Sequence, residues 1–103
     1  MKVSIITVSY NSEKTIAHTI ESVLAQTYDD IEYWIIDGKS SDGTVTLAES
    51  YCSAMEQKGI IYHILSEPDG GIYDAMNKGI RLATGDVIGI CLLYTSPSPR
   101  DVE

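Results

Sequence analysis

The feature that most constrains the fold is an alternation between short β-branched apolar runs and longer segments with helical periodicity. The apolar runs lie at residues 3–8, 31–36, 60–65 and 86–93. Near-continuous apolar runs of this length are typical of strands buried on both faces of a parallel sheet. The sequence therefore predicts a four-stranded sheet whose strands are covered.

Three helical segments connect these runs. In the first, Ile16, Ile20 and Val23 recur on one helical face. The second follows Asp42, a candidate cap, and ends at Gly59, and the third covers residues 72–83. Alternating strands and helices favour right-handed βαβ crossovers. We therefore predict an α/β class: a Rossmann-like open parallel sheet with helices on both faces.

Length and composition exclude several classes of protein. A chain of 103 residues suffices for one small domain, and its 7 basic and 15 acidic side chains give a net charge of -8. Nucleic acid is excluded as a partner, since phosphate backbones select basic surfaces. No segment is long enough to span a membrane. Cys52 and Cys91 form neither a disulfide framework nor a metal spacing, so we expect small packing side chains and a cytoplasmic location.

Three loops link a strand to the following helix, and they are predicted to meet at the carboxyl edge of the sheet. They cover residues 7–11, 37–44 and 67–71. Ligands of open α/β sheets bind at this edge, where helix starts offer free N–H groups. The glycine patterns of dinucleotide-binding and P-loop proteins are absent, as is the G-x-S-x-G elbow. The residues therefore argue against dehydrogenases, P-loop NTPases and serine hydrolases.

Two residues of these loops leave a ligand role and a structural role open. Asp37 could accept a hydrogen bond from a base N–H or a ribose hydroxyl, or it could be a turn aspartate before Gly38. Tyr10 could stack on a base, or it could close the rim of the core.

Four other charged residues are interpreted from their local context. Asp69 lies in a Pro/Gly-rich turn that can bend toward a ligand. Lys78 could face a diphosphate, whereas a solvated helix face is the preferred interpretation of Arg81. Asp42 is interpreted as a helix cap.

Several separate segments resemble family 2 glycosyltransferases of the A-type fold. They are "VSIITVSYNSEKTIAHTIESVLAQTY", "IIDGKSSDGT", "SEPDGGIYDAMNKGI" and "LATGD", and the resemblance spans residues 2–90. It implies the N-terminal, nucleotide-sugar-binding half of such an enzyme. The donor would be a nucleotide-diphosphate sugar, usually of uridine or thymidine, and the sugar would pass with inversion to an acceptor hydroxyl.

The resemblance also implies which residues bind the nucleotide. Val8, Ser9, Tyr10, Asn11 and Asp37 would hold the nucleobase and ribose. Asp69 and Lys78 would lie nearer the ribose and diphosphate. Many members carry a second acidic residue where this chain has Gly38, which leaves open which atom pairs with the base.

The chain departs from the family after "GDVIGI". Family members continue with carboxylates that bind Mg²⁺ or Mn²⁺, whereas this chain reads "CLLYTSPSPRDVE". We expect a divalent metal in the complete enzyme, metal ligands absent from this chain, and no assignable catalytic residue. Residues 1–90 are predicted to be the nucleotide-sugar-binding half, and residues 91–103 a foreign or disordered tail. The chain is expected to be inactive, the alternatives being a non-catalytic nucleotide-binding module and a non-functional fragment.

Overall fold

The computed structural model describes residues 1–26, 30–68 and 70–94, and in this part of the chain strands and helices alternate. The elements in chain order are β1 (Val3–Tyr10), α1 (Glu13–Leu24), β2 (Ile31–Asp37), α2 (Thr44–Glu49), α3 (Cys52–Lys58), β3 (Ile61–Ser66), α4 (Ile72–Leu82) and β4 (Val87–Tyr94).

All four strands are parallel and lie in the order β3-β2-β1-β4. The predicted open parallel sheet is therefore confirmed, and β1 and β2 are its central strands. In the register, Ser9 of β1 pairs with Asp37 of β2, which in turn pairs with Ser66 of β3. Three polar side chains consequently lie at the same level, at the last residue of β2 and of β3 and at the residue before the last of β1.

Helices cover both faces of the sheet, as predicted. On one face α1, α2 and α3 enclose the larger core, which includes Ile16, Ile20, Tyr33 and Met55, all fully buried. On the other face α4 packs over β1 and β2, where Ile6, Val8, Ile36 and Ala75 form a smaller core.

The segment predicted as one helix from Asp42 to Gly59 is two helices. The N–H of Ser50 bonds to the carbonyls of both Thr46 and Leu47, and the Ser50 hydroxyl donates to Leu47 as well. These tightened bonds end α2, because a serine side chain competes for the carbonyls that would continue the helix. The predicted C-cap is confirmed, since Gly59 has a φ of 82° after α3.

Cys52 differs from its prediction. It lies at the start of α3 with its side chain exposed, whereas Cys91 is partly buried in β4. Met55, three residues further along α3, is fully buried, whereas Cys52 at the first position of that helix is exposed.

β4 was expected to be covered and instead forms an edge of the sheet with exposed apolar side chains. Val87, Ile88, Ile90 and Leu92 are 39–48% exposed. The reason is that, among the described residues, β4 pairs with β1 alone, while α4 lies mainly over β1 and β2. The strand continues through Tyr94. The domain boundary at residue 90 stays a prediction, and residues 95–103 lie outside the described residues.

The buried carboxylate of Glu32 stabilises the turn before β4, at the amino edge of the sheet. Glu32 accepts hydrogen bonds from the Ser4 hydroxyl at 2.7 Å and from the Thr84 N–H at 2.9 Å. The Gly85 N–H donates to the Ser4 hydroxyl at 2.8 Å. Burial alone would raise the pKa of Glu32, but these hydrogen bonds from Thr84 and Ser4 outweigh it and lower the pKa below 4.5. Sequence reasoning missed this network.

We predict that Gly79→Ala destabilises the fold. A Cβ at Gly79 would lie 2.6 Å from Cγ2 of Ile6, because α4 contacts β1 closely at this point. The overpacking should lower the free energy of unfolding by about 1–3 kcal/mol, despite alanine's better helix propensity. Urea titration measures the change. Gly89→Ala is the control, since a Cβ there meets nothing within 4 Å; equal losses in the two variants would contradict the prediction.

A second prediction concerns acid stability. The pKa of Glu32 is lower in the folded chain than in the unfolded one. Its stabilising contribution is therefore complete above the ordinary value of 4.5 and is lost as pH falls through the folded value. Glu32→Gln should lower stability at neutral pH by about 1–3 kcal/mol and flatten the decline toward about pH 3. Urea midpoints across this range test it, with exposed Glu56→Gln as the control.

Candidate functional site

Asp37, the last residue of β2, is the centre of the carboxyl edge. Its side chain is 1% exposed and accepts four hydrogen bonds. Oδ1 accepts from the Ser9 hydroxyl at 2.9 Å and the Ser40 hydroxyl at 2.6 Å. Oδ2 accepts from the Ser40 N–H at 2.7 Å and the Ser66 hydroxyl at 3.0 Å. A carboxylate has about four acceptor positions, so all of those on Asp37 are filled.

The local sequence explains this geometry. Ser9 and Ser66 reach Asp37 because parallel register places them beside it on the two neighbouring strands. Ser40 reaches it because the chain turns sharply after β2 through Lys39, which has a φ of 64°. A left-handed conformation is uncommon for lysine, so the turn is held by its hydrogen bonds to Asp37. Asp37 is thus a turn aspartate and also the link between three strands.

Asn11 joins the first loop to the second. Its backbone N–H donates to the Ser40 hydroxyl at 2.8 Å, and its side-chain Oδ1 accepts from the Ser41 N–H at 2.9 Å. The φ of Asn11 is 50°, a conformation that asparagine tolerates better than most residues. The loops after β1 and β2 therefore form one hydrogen-bonded unit around Ser40.

The starts of α1 and α2 cap each other with acidic side chains. The Asp42 carboxylate accepts the Glu13 N–H at 3.3 Å and the Thr44 N–H at 3.0 Å, and the Thr44 hydroxyl also bonds to it. The Glu13 carboxylate accepts the Gly43 N–H at 3.1 Å. Burial would raise the pKa of Asp42, but the hydrogen bonds from Thr44 and Glu13 outweigh it and lower that pKa. Asp42 thus caps helix starts, in agreement with its interpretation from sequence.

The structure places the predicted residues of the first loop in different environments. The Val8 side chain is fully buried in the smaller core, and the residue pairs with Ile36 of β2 and Leu92 of β4. Ser9 is also fully buried and bonds to Asp37. Tyr10 ends β1 and is partly buried. Ser9, Asn11 and Asp37 therefore share one polar network through Ser40.

Lys78 lies beside the loop that follows β3. Its Nζ is 3.0 Å from the Glu67 carboxylate and 3.7 Å from the Asp74 carboxylate, and it donates to the Pro68 carbonyl at 3.1 Å. The Glu67 N–H donates to the Asp37 carbonyl at 3.0 Å, which connects this loop to the strand ends. Asp69, the remaining predicted site residue, lies outside the described residues.

Sequence reasoning missed Ser40 and Ser66, the two residues that complete the shell around Asp37. The available signal was positional: Ser9, Asp37 and Ser66 each end an apolar run, and parallel strands end at one edge. Ser40 was included only as part of a loop. Its role depends on the turn at Lys39, which no pattern in the sequence indicates.

Two features are absent from the described part of the chain. Within residues 1–26, 30–68 and 70–94, no group of three or more His, Cys, Asp or Glu side chains could hold a metal ion. In the same part of the chain, every helix is too short or too polar to cross a membrane.

Residues 4–91 match the family model described as Glycosyl transferase family 2. An uncharacterized glycosyltransferase of Mycobacterium tuberculosis is 47% identical over 87 residues, which cover 84% of this chain and 31% of that protein. A PGL/p-HBAD biosynthesis glycosyltransferase of Mycobacterium bovis is 35% identical over 82 residues, covering 80% of this chain and 31% of that one. The chain therefore spans about a third of the length of these curated relatives.

Solved structures show the same fold. S. aureus TarS 1–349 in complex with UDP-GlcNAc has a TM-score of 0.73 and 27% identity, over 89% of this chain and 26% of that one. A mannosyltransferase from Pyrobaculum calidifontis, in complex with GDP-Man and Mn²⁺, has a TM-score of 0.75 and 24% identity. That match covers 84% of this chain and 26% of the mannosyltransferase chain.

Asp37→Asn is predicted to destabilise the chain. The amide offers one acceptor oxygen and one donor NH₂ group, so two of the four donors lose their acceptor. Depending on the amide's orientation, these are the hydroxyls of Ser9 and Ser40 or the Ser40 N–H and the Ser66 hydroxyl. The free energy of unfolding should fall by about 2–4 kcal/mol, measured by urea titration. Asp30→Asn, the same change at an exposed position before β2, should cost much less. Equal stability of the two variants would show that the Asp37 network does not support the fold.

Proposed function

Because the chain belongs to glycosyl transferase family 2, we propose that it is the nucleotide-sugar-binding part of a glycosyltransferase. The complete protein would transfer a sugar from a nucleotide-diphosphate sugar to an acceptor hydroxyl with inversion. The observation that supports the binding role is the convergence of three strand ends and their loops on Asp37. Such an edge is where open α/β sheets bind ligands.

The proposed roles follow from position. The loop of Val8, Ser9, Tyr10 and Asn11, together with Asp37, binds the nucleobase and ribose. Val8 contributes backbone groups, and Tyr10 contributes an aromatic face at the rim. Lys78 and Asp69 act nearer the ribose and diphosphate. Lys78 supplies the positive charge, although its ammonium is paired with the Glu67 carboxylate and must leave it to bind an anion.

Sugar transfer requires more than these residues provide. A leaving diphosphate develops negative charge that a divalent cation such as Mg²⁺ or Mn²⁺ neutralises, and inversion needs a base near the acceptor hydroxyl. No metal-binding group occurs within the described residues. We therefore propose that the metal ligands and the base belong to other parts of the complete protein, and that this chain binds nucleotide without turnover.

A second candidate function is a nucleotide-binding module with no catalytic role in any assembly. Two observations support it: the polar carboxyl edge around Asp37, and the lack of a possible metal-binding group among the described residues. We also propose a cytoplasmic location, which the free thiols of Cys52 and Cys91 support.

We predict saturable binding of uridine diphosphate by the chain, measured by isothermal titration calorimetry. Lys78→Ala should weaken this binding roughly three- to tenfold, because it removes a charged contact that must first leave Glu67. Binding of uridine, which has no diphosphate, should not change. Arg81→Ala is the matched control, as it removes the same charge from the exposed face of the same helix.

The second half of this test addresses turnover. Incubating the chain with Mn²⁺, UDP-sugars and a panel of hydroxyl acceptors should yield no transfer product. Sustained product formation would overturn the proposal that the chain is inactive. No uridine diphosphate binding by the folded chain would overturn the binding role.

A further inference from the structure

Asp37 has no acceptor position left for a ligand. Its two carboxylate oxygens already receive three hydroxyl donors and one amide donor, and its side chain is 1% exposed. Any ligand that bonds to this carboxylate must therefore displace one of those donors. The four donors differ in how easily they can leave.

Ser9 and Ser40 are both held in place. Ser9 is fully buried on β1, a strand paired on both sides, so its hydroxyl has no solvent to turn into. Ser40 makes two bonds to Asp37, and its hydroxyl also accepts the Asn11 N–H at 2.8 Å. Moving Ser40 would break the contact between the first two loops.

Ser66 is the exception. It is exposed, it ends the edge strand β3, and its hydroxyl makes a single bond to Asp37. That bond, at 3.0 Å, is the longest of the four. Rotation of the Ser66 side chain about χ1 would open one acceptor position on Oδ2, which keeps its bond from the Ser40 N–H. The Ser66 hydroxyl would then bond to water.

We infer that Ser66 is a displaceable hydroxyl that competes with the ligand for Asp37, an inference that rests on the proposed nucleotide site. In the free chain Ser66 occupies the fourth acceptor position. In the complex an N–H or O–H of the nucleobase or ribose donates to Oδ2 in its place. Ser66 thus selects for ligands that present a donor at this point and lowers the affinity of all of them.

The competition has a measurable consequence. Ser66→Ala leaves the Oδ2 position open, so the ligand gains a hydrogen bond without breaking one. Uridine diphosphate should bind roughly two- to tenfold more tightly, which corresponds to one net hydrogen bond. A residue with only a structural role would weaken binding when removed or leave it unchanged.

The experiment is calorimetric titration of uridine diphosphate and of inorganic pyrophosphate into the wild-type chain and three variants. Ser66→Ala should lower the dissociation constant for uridine diphosphate but not for pyrophosphate, which has no base or ribose donor. Ser66→Thr keeps the hydroxyl and should match the wild type. Ser53→Ala, the same change at an exposed position of α3, is the control and should leave the dissociation constant unchanged.

The outcomes separate this inference from the proposed function. One outcome is that uridine diphosphate saturates the wild-type chain while Ser66→Ala binds it equally or less tightly. In that case the inference that Ser66 is displaced is wrong, and the proposed nucleotide site is unaffected. If neither folded protein binds it, both fail. A Ser66→Ala chain that does not fold, checked by thermal melting, also contradicts the inference, because a displaced hydroxyl must be dispensable to the fold.

Discussion

The hydrogen bonds of the Asp37 carboxylate are the constraint on which the carboxyl edge depends. Parallel strands share no tight turn, so their ends are positioned only by register and by contacts such as these. Asp37 joins Ser9 of β1 and Ser66 of β3 and also holds the turn at Ser40. The same residue is buried and polar, which makes its bonds costly to break. Strand ends, loop shape and candidate site are therefore one structural unit.

This arrangement changes the question that the sequence raised about Asp37. A turn role and a ligand role were set out as alternatives. The carboxylate is fully engaged by the chain, and it lies at the carboxyl edge, where open α/β sheets bind ligands. The two roles are compatible if an exposed donor can leave the carboxylate. Ser66 is exposed, and its hydroxyl makes a single bond to Asp37. A strong internal network can thus coexist with recognition when its weakest member faces solvent.

The fold class could be predicted from the sequence because the spacing of apolar residues indicates which side chains are buried. The apolar runs of β1 and β2 and the inward stripe of α1 predicted the parallel sheet and its covered faces. The failures have physical causes. The break between α2 and α3 arises from the Ser50 hydroxyl, and the exposure of Ile88 on β4 depends on which strands pair. Of the site, the edge and Asp37 were predictable, whereas Ser40 and Ser66 required register and a left-handed turn.

The acidic caps of the helices have an electrostatic consequence for any anion at this edge. Free N–H groups at helix starts commonly attract phosphate, but here acidic side chains accept several of them. Asp42 accepts those of Glu13 and Thr44, Glu13 accepts that of Gly43, and Asp74 accepts that of Gly70 before α4. A pyrophosphate group approaching these helices would face carboxylates in place of bare dipoles, in a chain with a net charge of -8. These caps therefore give the helix starts a negative charge, and attraction of an anion to them has to come from cations.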